Sequence, residues 1–338
     1  MVDPIDIKTK KIFRESHKNK FDKDLVLDIM ENNIISNWDT WGKFQQIWTN
    51  QAYNTFKDFD KYLVLIYLIR DFFQQNANKF SYQSYDEFYD FDFLTIDKLN
   101  LIKISTELDI PKETVRRKVN ELQQGGILKR EGKSIILQRK FAGYQKPEQS
   151  LDALAALISK KSKYLDGQIW FGETLEKEEV KEYIKKYFTI MWLNFLKLQI
   201  PFLLRHRKNF RDLETWIIWG NVALHHQKSL NKIIERSVTT EIDYKNYYKK
   251  VSDLHVNRGV NASSIADISG IPRATVIRKL RWLVKNKTIL KNKKLEYIMQ
   301  YKGLLNSKIE TTFRFNQVQV AEFLTTFFDY YKNSNLKP

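Results

Sequence analysis

The chain has 338 residues, enough for two or three domains, and 43% of them are hydrophobic and 14% aromatic, which excludes a disordered protein. The absence of cysteine excludes disulfides, cysteine-based zinc sites and a thiolate nucleophile. A formal net charge of +17 favours a polyanionic partner, nucleic acid ahead of an anionic membrane.

Residues 1–80 are predicted to form an aromatic-rich helical segment. The first residues, MVDPIDIKTKKIF, contain no apolar run, so no signal peptide is predicted. Two stretches here have partners later in the chain. Phe56–Val64 (FKDFDKYLV) matches Phe210–Ile218 (FRDLETWII) at an offset of 154, and Trp41–Phe44 (WGKF) matches Trp192–Phe195 (WLNF) at 151. We interpret the aromatic side chains as core, with an effector pocket as the alternative.

Residues 81–143 are predicted to form a winged helix-turn-helix. In Ile104–Leu122 (ISTELDIPKETVRRKVNEL), a short helix and a turn precede Pro111, which suits the first turn of the next helix. Val115, Val119 and Leu122 then recur at i, i+4 and i+7, forming one apolar stripe along that helix. The basic run ILKREGKSIIL that follows has a Glu-Gly turn between β-prone residues and predicts a hairpin, the wing.

The middle of the chain predicts a linker and a second helical segment. Residues 144–177 form the linker, with one short helix at Leu151–Ile158. Residues 178–240 contain the longest apolar stretch, Tyr187–Leu204, which is marginal in length for a membrane span and is interrupted by polar residues and a proline. We predict a buried or interface helix there.

Residues 241–304 repeat the first winged helix-turn-helix. Ile265–Leu283 reads IADISGIPRATVIRKLRWL, and at an offset of 161 it is identical to Ile104–Leu122 at eight of 19 positions. Val276, Leu280 and Leu283 form its apolar stripe, and ILKNKKLEYIM forms its basic hairpin. The predicted fold class is therefore mainly α with small β-wings: two winged-helix domains, each preceded by an aromatic-rich helical segment, in an internally duplicated chain.

Residues 305–338 predict a C-terminal helix. Within VQVAEFLTTFFDYY, the apolar residues recur at i, i+3, i+4, i+7 and i+8 and define one helical face. They are Val320, Phe323, Leu324, Phe327 and Phe328. Such a helix either caps the second unit or pairs with another chain, so a homodimer through the helical segments or this helix is an open alternative.

The outward faces of the two second helices and the two hairpins are predicted to bind double-stranded DNA. Arginine can bind guanine bidentately, asparagine can bind adenine and glutamate can accept from cytosine, while lysines in the hairpins meet phosphates. The predicted DNA-binding residues are Lys112, Glu113, Thr114, Arg116, Arg117, Lys118, Asn120, Lys129, Arg130, Lys133, Arg273, Thr275, Ile277, Arg278, Lys279, Arg281, Lys291, Lys293 and Lys294. Arg117, Lys118 and their counterparts Arg278 and Lys279 are assigned to phosphate, and the residues that differ between the copies to base preference.

The second copy also carries a family resemblance. Gly-Ile-Pro-Arg-Ala-Thr-Val-x-Arg-Lys-Leu-x-x-Leu at 270–283, followed by Ile289-Leu290, resembles the helix-turn-helix of bacterial winged-helix regulators of the GntR and MarR broad class. The resemblance covers about 40 residues of each copy. It implies a winged-helix fold and a regulatory DNA-binding function, although those families usually carry one such domain per chain and dimerise.

No enzymatic or metal chemistry is predicted. The chain has five histidines, and the adjacent pair His225-His226 would point about 100° apart on a helix and would not chelate together. No nucleotide-binding glycine loop, paired-carboxylate motif or Ser-His-Asp arrangement stands out. We therefore expect no enzyme, cofactor, metal or membrane partner, leave any effector unassigned, and expect a cytoplasmic, nucleoid-associated protein.

The leading hypothesis is a sequence-specific transcriptional regulator whose two unlike winged helices act as a pseudo-dimer. A pseudo-two-fold would bring the recognition helices into successive major grooves about 34 Å apart, at an imperfect palindrome. A plasmid or phage replication initiator is the alternative, for which tandem sites beside an origin would be expected. A third interpretation is a protein-interaction or architectural scaffold without sequence preference.

Overall fold

The computed structural model describes residues 22–79, 82–96, 99–132, 134–138, 146–165, 174–237, 258–301 and 308–335. Thirteen helices hold 76% of these residues, with one three-stranded and one two-stranded antiparallel sheet. The prediction of a mainly helical chain with small β-elements is confirmed.

The first half, as far as the structure describes it, contains seven helices and three strands. They are α1 (Lys23–Asn32), α2 (Ile34–Phe56), α3 (Phe59–Asn78), α4 (Tyr85–Asp90), β1 (Phe93–Ile96), α5 (Leu101–Leu108), α6 (Lys112–Gln124), β2 (Leu128–Glu131), β3 (Ser134–Gln138) and α7 (Glu148–Leu165). β3 lies between β1 and β2, and Leu137 pairs with both Leu94 and Leu128.

The described elements of the second half follow the same order, except that they include no counterpart of α4 or of strand β1. Its elements are α8 (Lys177–Lys186), α9 (Phe188–Phe210), α10 (Leu213–Ser237), α11 (Ala262–Ser269), α12 (Arg273–Lys285), β4 (Ile289–Lys291), β5 (Tyr297–Met299) and α13 (Lys308–Asn335). Val260 forms an isolated bridge with Tyr297, at the place that β1 takes beside β3 in the first sheet.

Helix lengths and spacings agree between the halves. α1 and α8 have 10 residues each, α2 and α9 have 23, and both pairs begin 154 residues apart. α5 and α11 have 8 residues each, α6 and α12 have 13, and both pairs begin 161 apart. The offset of 151 between Trp41–Phe44 and Trp192–Phe195 is therefore three residues out of register, and Trp38 is the residue that corresponds to Trp192.

The long helices cross between the halves. α2 packs against α10, α9 packs against α3, and one hydrophobic core runs through both halves. The linker helix predicted at Leu151–Ile158 extends over the whole of α7 and packs on α2 and α8. α13 packs in the corresponding way on α9 and α1, so its predicted apolar face is buried within the same chain.

The apolar stripes predicted for the helix-turn-helix pairs are confirmed. Val115, Val119 and Leu122 are buried along α6, and Val276, Leu280 and Leu283 along α12. Both stripes face the long helices, because α6 packs on α3 and α12 packs on α10. The opposite face of each helix is therefore the one left to solvent.

The apolar run Tyr187–Leu204 lies mostly in α9, where it is buried among the other helices, as predicted. No single described helix is long and apolar enough to cross a membrane. α8 and α9 pass that test only when taken together, and they are bent by 105° at their junction.

Candidate nucleic-acid interface

A tight turn places the second helix of each pair. Asp109 ends α5 in the left-handed region with φ 51°, and Gly270 ends α11 in the same way with φ 69°. Glycine adopts this conformation without strain, and aspartate is among the few other residues that tolerate it. Pro111 and Pro272 then start α6 and α12 from nearly the same backbone angles, φ −54° and −52°.

The N-termini of α6 and α12 lack a side-chain cap. Neither Pro111 nor Pro272 can accept a hydrogen bond through its side chain, and no such bond is present. The preceding helices are capped, α5 by Asn100 and α11 by Asn261. The first N–H groups of α6 and α12 are therefore available to an anionic oxygen, as helix N-termini that bind phosphate require.

Most of the predicted contact residues lie on the exposed face. The exposed ones are Lys112, Glu113, Arg116, Arg117, Asn120, Lys129, Arg130, Arg273, Arg278, Arg281, Lys291, Lys293 and Lys294. Thr114 and Thr275 are half-buried in the first turns of their helices, and Ile277 is half-buried in the second turn of α12. Lys133 lies outside the described residues.

A groove joins the outer face of α6 to the hairpin behind it. Its volume is about 260 Å³, and Arg116 and Asn120 of α6 line it together with Lys129 and Arg130 of β2. Four residues predicted separately as base-reading and phosphate-binding groups thus share one concave surface. Gln123 lines the same groove and was not among the predicted residues. Its position, three residues after Asn120 on a helix, is the pattern that would have identified it.

The first face is the outer surface of α6 and β2. Carboxylates lie close to its cations. Arg116 Nη2 lies 2.6 Å from Glu113 Oε2, and Lys129 Nζ lies 2.7 Å from Glu131 Oε1. Arg117 Nε is 3.8 Å from Glu121 Oε1. All three cations are exposed, and ion pairs of this kind contribute little and are easily exchanged for another anion.

The second face is the outer surface of α12. It carries cations and no carboxylates. α12 reads RATVIRKLRWLVK and contains no acidic residue. Arg273 Nε donates to Ser263 Oγ at 3.0 Å, while Arg278 and Arg281 are exposed and make no ion pair with any described residue. The two faces therefore differ in electrostatic strength as well as in sequence.

The assignment of Lys118 and Lys279 to DNA phosphate is corrected. Lys118 is 6% exposed and its Nζ lies 2.7 Å from Asp58 Oδ2 and 2.8 Å from Glu121 Oε1. Burial would lower the pKa of Lys118, but its bonds to these carboxylates outweigh that effect and raise the pKa. A buried ammonium already bound by two carboxylates does not reach a DNA backbone.

Lys279 has the same arrangement in the second half. It is 8% exposed, and its Nζ lies 2.7 Å from Asp212 Oδ1 and 3.1 Å from Glu214 Oε2. Asp212 also accepts from the backbone N–H of Thr215, and these donors hold its pKa below the usual range although burial would raise it. The identical lysine of the two copies therefore holds α6 and α12 on the core of long helices. Asp58 in FKDFD matches Asp212 in FRDLE, and this match was the signal in the sequence for the contact.

Each turn is also held by a helix from the other half. Arg207 of α9 donates to the carbonyl of Asp109 at 2.9 Å and lies 3.4 Å from Asp60. Asn50 of α2 donates to the carbonyl of Ile268, at the end of α11, at 2.9 Å. The two helix-turn-helix segments are thus connected through α2 and α9 and not only through their own halves.

No group of three or more metal-ligating side chains occurs in the part of the chain that the structure describes. The comparisons with known proteins add no assignment to the interface. The chain matches no protein-family model, no curated protein and no solved structure.

Proposed function

We propose that this protein binds double-stranded DNA sequence-specifically as a transcriptional regulator, using two non-identical winged helices in one internally duplicated chain. The observation that carries the proposal is the arrangement around α6. An uncapped, cation-bearing helix and the basic strand β2 of the hairpin line one groove. A helix that enters a major groove needs base-reading side chains on its outer face and phosphate-binding groups beside it.

The matched halves support the pseudo-dimer. A duplicated subunit would retain four pairs of helices of equal length, offset by 154 or 161 residues. It would also retain the corresponding Lys118–Asp58 and Lys279–Asp212 ion pairs and the reciprocal crossing of α2 and α9. Regulators of DNA commonly place two recognition helices by such a two-fold, and here one chain would supply both.

The unlike outer faces support an imperfect palindrome. Arg116 and Asn120 of α6 correspond to Ile277 and Arg281 of α12, so the hydrogen-bonding groups offered to base edges differ. We expect two different half-sites with centres about 34 Å, or one helical turn, apart.

Selection of bound sequences from a random DNA pool, followed by a salt titration on the selected site, tests the proposal. We expect one enriched site with two unlike halves and a steep linear fall of log affinity with log salt, because several phosphates are neutralised. Enrichment of no sequence, or an affinity that does not change with salt, would overturn it.

A further inference from the structure

A cavity lies between helices of both halves, remote from the exposed faces of α6 and α12. Its volume is about 80 Å³, and α2, α9, α10 and α13 all contribute to its wall. Its lining is unusual in combining aromatic rings with buried polar groups. The residues that matter here are Trp38, His206, Trp216, Trp219, Gly220 and Asn316.

The empty space of the cavity lies next to Gly220. A Cβ atom added at Gly220 would meet no heavy atom within 4 Å, although the residue sits in the middle of the long helix α10. At Gly42, which also lines the cavity, an added Cβ would lie 2.5 Å from a side-chain carbon of Leu224. The free space is therefore at Gly220 and can be filled there without a clash.

The hydrogen-bond network determines which nitrogen of His206 carries the proton. Arg205 Nε donates to Asn316 Oδ1 at 2.8 Å, which fixes the orientation of that amide. Asn316 Nδ2 must then donate to His206 Nε2, 3.0 Å away, so the ring proton is on Nδ1. Burial, together with the charge of Arg205, lowers the pKa of His206 to about 3, and the ring is neutral at physiological pH.

Three ring nitrogens on this wall are donors without an acceptor. His206 Nδ1, Trp38 Nε1 and Trp219 Nε1 are buried and have no hydrogen-bond partner among the described residues. An indole nitrogen can only donate, so no alternative orientation pairs it. Burying such groups without a partner destabilises the protein, so the cluster calls for an acceptor.

Arg205 lies behind the same wall: its Nε bonds to Asn316, and its guanidinium carbon lies 4.8 Å from the centroid of the Phe315 ring. Arg205 Nη2 is buried without a hydrogen-bond partner in the described part of the chain. Burial lowers the pKa of Arg205 to about 10, and no described carboxylate lies close enough to oppose it. Donors without acceptors next to an uncompensated guanidinium suit an anion that only accepts hydrogen bonds.

We propose that this cavity binds a short-chain organic carboxylate. The carboxylate oxygens accept from the indole and imidazole N–H groups, and the aromatic rings contact the carbon chain. Arg205, which bonds to the cavity-lining Asn316 but does not line the cavity itself, supplies the opposite charge at longer range. The volume is about half of the roughly 150 Å³ of an apolar cavity that holds benzene, so the ligand is a small one of the size of acetate or pyruvate.

The equivalent cavity of the first half provides a contrast. It is larger, about 170 Å³, and Phe56, Ile66 and Phe73 are among its lining residues. Both cavities are lined mainly by apolar surface, so the contrast lies in their buried donors. Ile66 stands 154 residues before Gly220 and occupies the corresponding place on α3. Among its described lining residues, Trp48 Nε1 is the one buried donor without a well-aligned hydrogen bond, and it lies near the hydroxyl of Tyr62. This cavity lacks the donor cluster that the proposal needs.

The test is an NMR titration of the full-length chain, labelled with nitrogen-15, with sodium pyruvate and sodium acetate at constant ionic strength. The eight tryptophans give separate indole N–H signals, which Trp→Phe variants assign. We expect saturable shifts of the Trp38 and Trp219 signals, no shift of the Trp48 signal and no effect of acetone. No nucleic acid is present, so this result is independent of the proposed DNA binding.

Two variants and one matched control complete the experiment. Gly220→Val fills the cavity and keeps every donor, and Trp219→Phe removes one donor and keeps a ring. Each should weaken pyruvate binding about tenfold or more, while Trp48→Phe should not change it. Absence of saturable shifts would show that the cavity takes up no carboxylate, and equal binding by Gly220→Val and the unsubstituted protein would show that the carboxylate binds elsewhere. Either result would overturn the proposal.

Discussion

The side-chain amides of Gln45 and Gln199 bind each other reciprocally between α2 and α9, with Nε2–Oε1 distances of 2.8 and 2.9 Å. The two residues stand 154 positions apart, as the two helices do, and both are buried. A residue that contacts its own counterpart is what a two-fold axis produces at an isologous interface. This contact therefore links corresponding positions of the two halves.

Replacement of either glutamine by leucine should destabilise the fold. Gln45→Leu or Gln199→Leu leaves a buried amide without its partner, at a cost of about 1–3 kcal/mol in the free energy of unfolding. The double variant should lose less than the sum of the single losses, because no unpaired amide remains. Urea unfolding measures all three, with Gln74→Leu, whose bond to Asn78 is at the surface, as the control. Additive losses would contradict the reciprocal pairing.

Adjacent residues on α12 should separate DNA binding from stability. Arg278 is exposed, and Arg278→Ala should weaken binding to all DNA sequences and reduce the salt slope by about one, with unfolding unchanged. Lys279→Met should instead lower the free energy of unfolding by about 3–5 kcal/mol at most, since Asp212 and Glu214 lose their buried counter-charge. An equal loss of stability in both variants would refute the opposite orientations of the two side chains.

The two faces should contribute unequally to phosphate binding. Arg117→Ala is expected to weaken affinity less than Arg278→Ala, because Glu121 lies 3.8 Å from Arg117 whereas α12 has no carboxylate. Competition binding with non-specific DNA at several salt concentrations measures the difference. Equal losses would indicate that the acidic residues of α6 move away on binding.

Arg116→Ala should relax base preference in one half-site only. Its guanidinium lines the groove beside Asn120, and loss of a bidentate base contact costs about 1–3 kcal/mol of discrimination. Affinities for sites with single base changes in each half measure this. A uniform loss of affinity for all DNA sequences would indicate that Arg116 binds phosphate. Identical half-sites would contradict the proposal that α6 and α12 bind different base sequences.

Acid should destabilise the fold through His206. Its pKa is about 3 in the folded protein and near 6.5 when unfolded, so the unfolded chain binds an extra proton between these values. The stability conferred by the neutral ring is complete above about pH 6.5 and is lost as the pH falls towards 3, by up to about 1.4 kcal/mol per pH unit. His206→Gln should flatten this part of the profile of unfolding free energy against pH. If His206→Gln left the slope of unfolding free energy against pH unchanged, the proton taken up on unfolding would belong to another group.

Local patterns in the sequence were sufficient to predict the helix-turn-helix pairs and their apolar stripes. They also predicted the exposure of residues such as Arg116, Arg278 and Arg281. Their spacing alone decides which side of a helix packs. The C-terminal helix face was predictable for the same reason, and α13 buries it within the chain.

Contacts between distant segments were decided only by the tertiary structure. The sequence places Lys118 and Lys279 on the basic side of a predicted helix, yet both lie inward, because Asp58 and Asp212 at the starts of the long-helix segments meet them there. The register of α2 on α9, the crossing of the halves and the cavity at Gly220 likewise depend on how helices pack. Spacing along the chain thus determined which face each helix presents. The contacts of Lys118 with Asp58, of Lys279 with Asp212 and of Gln45 with Gln199 depended on segments more than fifty residues away.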